Sequence, residues 1–277
     1  MTHPTSTRPL LGAALALATL AAVPAQAGVL SVFEANATSA ADLQSTVDDF
    51  RTALGPLNAP APVSGDPAGR REINWDGAPD SVSDPNAFPG DFFNQGFAPL
   101  ARGIEFKEAG ATTGFELSST AASGETIEFG FPGGFTFFSP ERLFTPIGDT
   151  LFDVFFFDPV DQVTTALTRG LGVVFTDVEN TGSASMSFYD IDDTLLYTRD
   201  VLAGANASLS FLGVIFDDAE VARVRIDAGI VGFDSIVMDD FIYGEPIAVA
   251  DVPLPLPAAL LGAGLLGLGT LRRRKRG

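Results

Sequence analysis

The sequence predicts an all-β fold: a β-sandwich or jelly-roll-like single domain with one N-terminal amphipathic helix packed on it. Three observations predict it. From Arg70 onward apolar residues recur with a period of two in short runs, whereas just upstream they recur with a period near 3.6. Gly, Asp, Asn and Pro punctuate those runs at short, even intervals. Finally, 24 Phe stand against three Tyr and one Trp, an aromatic inventory with few polar handles that suits core filling.

The helix comes first. Ser39 is placed to cap it, Leu43, Val47, Phe50 and Leu54 recur at helical spacing, and Gly55-Pro56 stop it, so it runs over 39–54. Its apolar stripe needs a surface to lie on, and the sheet supplies one. Residues 55–69, rich in Pro, Gly and Ala, read as a linker, so the N-terminal segment covers 28–69 and the sandwich 70–247. Strands are expected in REINWDG (71–77), GIEFKE (103–108), GFELSS (114–119), TIEFGF (126–131), GFTFF (134–138) and LFDVFFFD (151–158). Further ones are expected in GLGVVFTDV (170–178), ASMSFYD (184–190), LLYTRDV (195–201), LSFLGVIF (209–216), VARVRID (221–227) and DSIVMDDFIYG (234–244). The runs at 170–178 and 209–216 are almost continuously apolar and should be central strands, while VARVRID should be half exposed. No internal repeat of 20–50 residues is evident.

Both ends carry export signals. Arg8, an apolar stretch over 10–22 and the small-x-small site Ala25-Gln26-Ala27 predict a signal peptide over 1–27, cleaved after Ala27. At the other end, residues 252–277 open with Val252-Pro253-Leu254-Pro255, continue as a Leu/Gly/Ala run and finish with Arg272, Arg273, Arg274, Lys275 and Arg276. Counted from Val252 the apolar segment approaches the ~20 residues that cross a bilayer, and the basic cluster holds its own end in the cytoplasm. This three-part tail resembles the PEP-CTERM class of bacterial sorting signal, in the variant that begins Val-Pro-Leu-Pro, with Leu254 where the commoner form has Glu. The resemblance implies export machinery and an exosortase-type processing enzyme as partners. It also implies a membrane-held intermediate and a destination at the cell surface or outside it. A plain C-terminal anchor is the other reading of the same residues.

The body has its own resemblance. GRREINWDGAPD (69–80), FPGDFFN (88–94), SPERLFTPIG (139–148), LTRGLGVVFTDV (167–178), SFLGVIFDD (210–218) and VMDDFIYGEP (237–246) together resemble a family of secreted bacterial β domains of unassigned activity, over about 38–246. That implies one domain and brings no catalytic residue with it.

Composition excludes several chemistries. Of 16 Lys+Arg, Arg8 and the five tail residues leave with the ends, so 10 basic residues face 35 acidic ones, a net charge of −25. Such a body repels nucleic acid and anionic lipid and is hospitable to divalent cations. There is no Cys, and the one His is His3 in the leader, so thiol chemistry, a Ser-His-Asp triad and zinc sites built on either residue are absent from the mature chain.

Three candidate sites remain. Trp75 and Asp76 in INWDGAPD combine a ring that can stack on a sugar with a carboxylate that accepts hydroxyl hydrogen bonds; a core Trp before an Asp-Gly turn is the ordinary alternative. Acidic clusters occur at Asp190, Asp192 and Asp193, at Asp217/Asp218 and at Asp239/Asp240, all read as strand ends. The first is the candidate Ca²⁺ site, with turn capping as its alternative and no contiguous EF-hand loop. Glu105, Glu108, Glu116, Glu125 and Glu128 are candidates for a hydrolytic carboxylate pair. The expectation is an exported, non-catalytic surface or matrix protein with extracellular polysaccharide as candidate ligand. The alternative is a secreted carboxylate-dependent hydrolase of polysaccharide.

Overall fold

The period-two runs form the strands of two antiparallel sheets packed face to face. The computed structural model describes residues 28–230 and 234–251; the predicted signal peptide and sorting signal lie outside the described residues. In chain order the strands are β1 (Val29–Ala37), β2 (Arg70–Ile73), β3 (Ile104–Glu108), β4 (Gly114–Leu117), β5 (Phe144–Ile147), β6 (Leu151–Phe156), β7 (Ala166–Leu167) and β8 (Gly170–Thr176). Then follow β9 (Ala184–Tyr189), β10 (Leu195–Asp200), β11 (Leu209–Phe216), β12 (Arg223–Ile230), β13 (Asp234–Ser235), β14 (Val237–Gly244) and β15 (Ile247–Ala248). The first sheet runs β1-β11-β8-β14-β5-β4, with β2 pairing the C-terminal half of β14. The second runs β10-β9-β12-β6-β3, with β13 on β12, and β15 pairs β7 separately. The expected all-β sandwich with one helix is the observed fold.

Side chains alternate across each strand, so every second residue enters the space between the sheets. Leu171, Val173 and Phe175 of β8 and Leu212, Val214 and Phe216 of β11 meet Phe152, Val154 and Phe156 of β6 and Met186 and Phe188 of β9. Each ring removed from water contributes roughly 1.5–3 kcal/mol, which is why a Phe-rich inventory suffices here without disulfides. Trp75 lies in this core, stacked on Phe144 with centroids 4.5 Å apart and planes 2° from parallel.

One α-helix, α1 (Ala40–Leu54), is present among the described residues. Ser39 Oγ accepts from the Asp42 amide at 3.3 Å, and Gly55, at φ 107°, ends the helix by donating to the Arg51 carbonyl. The predicted stripe Leu43, Val47, Phe50 and Leu54 is buried against Val174, Leu209, Phe211, Ile215 and Ile242 on the outer face of the first sheet. The odd and even residues of β8 and β11 therefore both face apolar neighbours, which explains their continuous hydrophobicity. Phe50 settles where β11 and β8 place Gly213 opposite Gly172; a Cβ on either would stand 2.6 Å from the ring.

Three expectations change. The sheet begins ahead of Arg70, because Val29–Ala37 pairs along β11 as its edge strand. Residues 126–131 and 134–138 form no strand: the chain makes a tight 3₁₀ turn at Glu128–Gly130, and Gly130 and Gly133 at φ 86° and 76° break the extended pattern. Residues 55–69 are no free linker. Asn58 Nδ2 donates to Glu245 Oε2 at 2.9 Å, and the Gly65 amide donates to Glu245 Oε1 at 2.9 Å.

Candidate functional site

The site begins with a local irregularity in β14. Met238 stands opposite Phe175 of β8 and Phe241 opposite Val173, so three steps on β14 match two on β8. The extra residue is a β-bulge at Asp239–Asp240, a device that re-aims side chains. It brings both carboxyl groups to one hydroxyl: Ser139 Oγ lies 2.9 Å from Asp239 Oδ1 and 2.7 Å from Asp240 Oδ1. Asp239 Oδ2 also accepts the amides of Phe138 at 2.7 Å and Ser139 at 3.2 Å. A hydroxyl has a single hydrogen to donate, so two carboxylate contacts call for one further proton, which belongs to the pair. The electrostatics agree. Burial and then the charge of Asp240 push the Asp239 pKa well above the usual carboxylate range. Burial also raises that of Asp240, with Ser139 and Arg51 opposing.

Next to the bulge is a cleft of about 430 Å³ between α1, the 55–69 segment and β2. Arg51, Glu72, Asn74, Arg102, Phe138 and Asp240 are among its lining residues. Helix α1 delivers Arg51, whose Nη2 lies 3.1 Å from Glu72 Oε2 and 3.0 Å from Asp240 Oδ2. Both carboxylates of the cleft thus share one guanidinium. The floor is a buried fork, Arg71 Nε and Nη2 to Glu245 at 2.7 and 2.8 Å, with Arg71 also donating to the Ala101 and Val63 carbonyls. Such a closed, fully bonded pair fixes the 55–69 segment in place.

The predicted ligand residues are placed differently from the expectation. Trp75 is 1 % exposed and cannot stack on a ligand. Its Nε1–H instead donates to the Asp239 carbonyl at 2.6 Å and so buttresses the bulge. Asp76, half-buried, accepts the Arg142 amide at 3.2 Å, and burial raises its pKa, with Asp240 adding to the shift. Trp75 therefore serves the site from behind.

The candidate Ca²⁺ residues form a turn. Asp190 Oδ1 accepts the amides of Asp192 at 2.9 Å and Thr194 at 2.8 Å, while Asp193 pairs with Arg223. Among the described residues no group of three or more His, Cys, Asp or Glu is arranged to hold a metal ion. Nearby, Glu220 Oε1 is buried without a hydrogen-bond partner. Burial, followed by Asp218, Asp217 and Asp190, pushes the Glu220 pKa up to about 7. Of the candidate hydrolytic glutamates, Glu128 accepts the amides of Gly133 and Gly134 at 2.7 and 3.1 Å, and Glu105 pairs with Lys107 and Asn94. These two have structural tasks.

Sequence reasoning flagged Asp239/Asp240 but placed them at a strand end, and it missed Arg51, Glu72, Arg102 and Ser139. One signal was available: two consecutive acids inside VMDDFIYG interrupt a buried strand, which is the mark of a bulge.

No family model matches the chain, and no curated protein matches it. Among solved structures, the enzymatically active domain of tailspike protein 4 from bacteriophage CBA120 aligns over 57% of this chain at 14% identity and a TM-score of 0.26. The alignment covers 24% of that chain, and a likeness this distant carries no functional weight.

Proposed function

We propose that this protein is an exported, non-catalytic β-sandwich that binds polysaccharide in the cleft beside α1, at the cell surface or in the extracellular matrix. The lining of the cleft carries this reading. Asn74, Arg102, Glu72 and Asp240 offer donors and acceptors for hydroxyls, and Phe138 and the 60 % exposed Leu57 offer apolar faces for sugar C–H groups. Glu72 and Asp240 stand on strands β2 and β14, which limits the ordering cost of their contacts. The leader and the PEP-CTERM-like tail support the route: export, retention by residues 252–277, then processing by an exosortase-type enzyme. A glycan-binding screen with the purified protein tests the cleft. Binding should fall sharply in Asn74→Ala/Phe138→Ala, and a screen with no ligand would sink the reading. Replacing Arg272–Arg276 with Ser tests the route; normal mass and yield in the medium would remove the sorting signal.

One observation favours the second reading, a carboxylate-dependent polysaccharide hydrolase. Glu72 and Asp240 both approach Arg51 Nη2, and burial raises the Asp240 pKa. Glycoside hydrolysis needs two carboxyls about 5–10 Å apart, one of them with a raised pKa. Release of reducing ends by the wild type and its loss in Asp240→Asn would establish this activity. Binding without release leaves the first reading in place.

A further inference from the structure

This inference rests on the polysaccharide reading of the cleft and names the ligand class. Three arginines line the cleft, and their charges are matched to different degrees. Arg71 is closed by its fork with Glu245, and Arg51 is shared between Glu72, Asp240 and Asp48. Arg102 differs. Its Nε donates to the Pro99 carbonyl at 3.0 Å, its Nη1 donates to the Glu72 carbonyl, and its guanidinium lies 4.9 Å from the centroid of Phe93. Carbonyls use two of its five N–H groups without neutralising it. Among the described residues no carboxylate forms an ion pair with it, in a chain with 35 acidic residues.

The free edge has a shape as well as a charge. With Nε and one Nη1 hydrogen occupied, three N–H groups remain on Nη1 and Nη2, and donors in the plane of a guanidinium match the oxygens of a carboxylate. A partly desolvated cation without a counter-charge gains most from an anion that enters with its ligand. Asn74 also lines the cleft; it is exposed and makes no side-chain hydrogen bond among the described residues. Arg51 bridges both lining carboxylates, and Glu72 acts on Arg102 through space without forming an ion pair with it. From this geometry we propose that the cleft takes an acidic polysaccharide bearing ring carboxylates, and that Arg102 receives one of them.

The test is calorimetric titration of the purified protein with oligogalacturonate, with oligoalginate and with methyl-esterified oligogalacturonate, which keeps the sugar and removes the charge. The acid form should bind at least about tenfold tighter than the ester. Arg102→Gln should reduce the acid to the affinity of the ester. Asn74→Asp, at an exposed position that folding tolerates, should weaken the acid several-fold more than the ester; this arm stands even if Arg102→Gln fails to fold. Equal affinity for acid and ester, or an Asn74→Asp variant that binds the acid normally, overturns the proposal. If both acidic glycans fail while a neutral one binds, the acidic class is wrong and the polysaccharide reading survives. If no glycan of any kind binds, both fall.

Discussion

The two large sheets share one core and differ in what lies behind them. The first sheet is covered on its outer face: β8 and β11 are buried along their whole length, with α1 packed over their backs. The second has no helix on its outer face among the described residues, and β9 alternates buried and half-buried from end to end. Across that bare face, Thr198, Ser187, Arg225, Asp153 and Lys107 stand in register on five successive strands, a polar row with Arg225 Nη2 and Asp153 Oδ2 2.8 Å apart. The difference teaches where a site can be built. The covered face supplies depth, since the helix edge walls a cleft and desolvates its charges. The other face supplies area, and there Asp153 is buried between Arg223 and Arg225.

Four substitutions test this contrast. Phe50→Ala should have the largest effect, a loss of about 3–5 kcal/mol on denaturant unfolding, because the fully buried ring fills the covered face over Gly172 and Gly213. An unchanged midpoint would detach the helix from the sheet.

Asp239→Asn comes second, with the opposite sign. A carboxyl with a raised folded-state pKa contributes stability that is fully present below its unfolded value near 4 and lost as pH rises through the folded value. Asn keeps an acceptor for the Phe138 and Ser139 amides and adds a donor for Ser139 Oγ. The variant should therefore melt about 2–4 °C higher at pH 8, worth about 1 kcal/mol, with the gap closing toward pH 4. A lower midpoint at every pH would sink the shared-proton account.

Glu220→Gln probes the connection from β11 to β12, between the two sheets. The raised pKa of about 7 predicts the same sign: a small gain that opens as the pH rises above the unfolded value of 4.5 and is complete once the pH has passed 7. Solvent access to this side chain keeps the gain smaller than at Asp239. Melting curves at pH 4 and pH 8 decide it, and parallel shifts would count against it. Ser187→Ala, on the bare face, should change stability by no more than about 0.5 kcal/mol. A loss comparable to that of Phe50→Ala would mean that this face is covered too.

The sequence made the covered face legible through α1, whose cap, stripe and stop were all visible, and through two runs too apolar for a one-sided sheet. Strand β1 was harder, because an edge strand half-buried along its length shows neither clean alternation nor a continuous apolar run. The runs at 126–138 deceived for the reverse reason: Phe spacing resembled strands while glycines set the backbone. For the site, acidity was visible and partnership was not. Ser139 and Asp240 are far apart in the chain, as are Arg51 and Glu72, and only the register of β14 and the helix position bring them together. Trp75 drew notice as the single indole, yet its role depends on a carbonyl that the bulge turns toward it.

The seat of Phe50 also limits how this sequence can drift. Ring, Gly172 and Gly213 come from three distant stretches, and neither glycine can gain a methyl group alone, because it would stand 2.6 Å from the Phe50 ring and 2.7 or 3.0 Å from that of Phe211. A viable path has an order: both rings must give way before either glycine can become alanine. Among descendants of this chain Phe50, Phe211, Gly172 and Gly213 should therefore vary as one character, with glycines beneath large rings or smaller side chains above alanine.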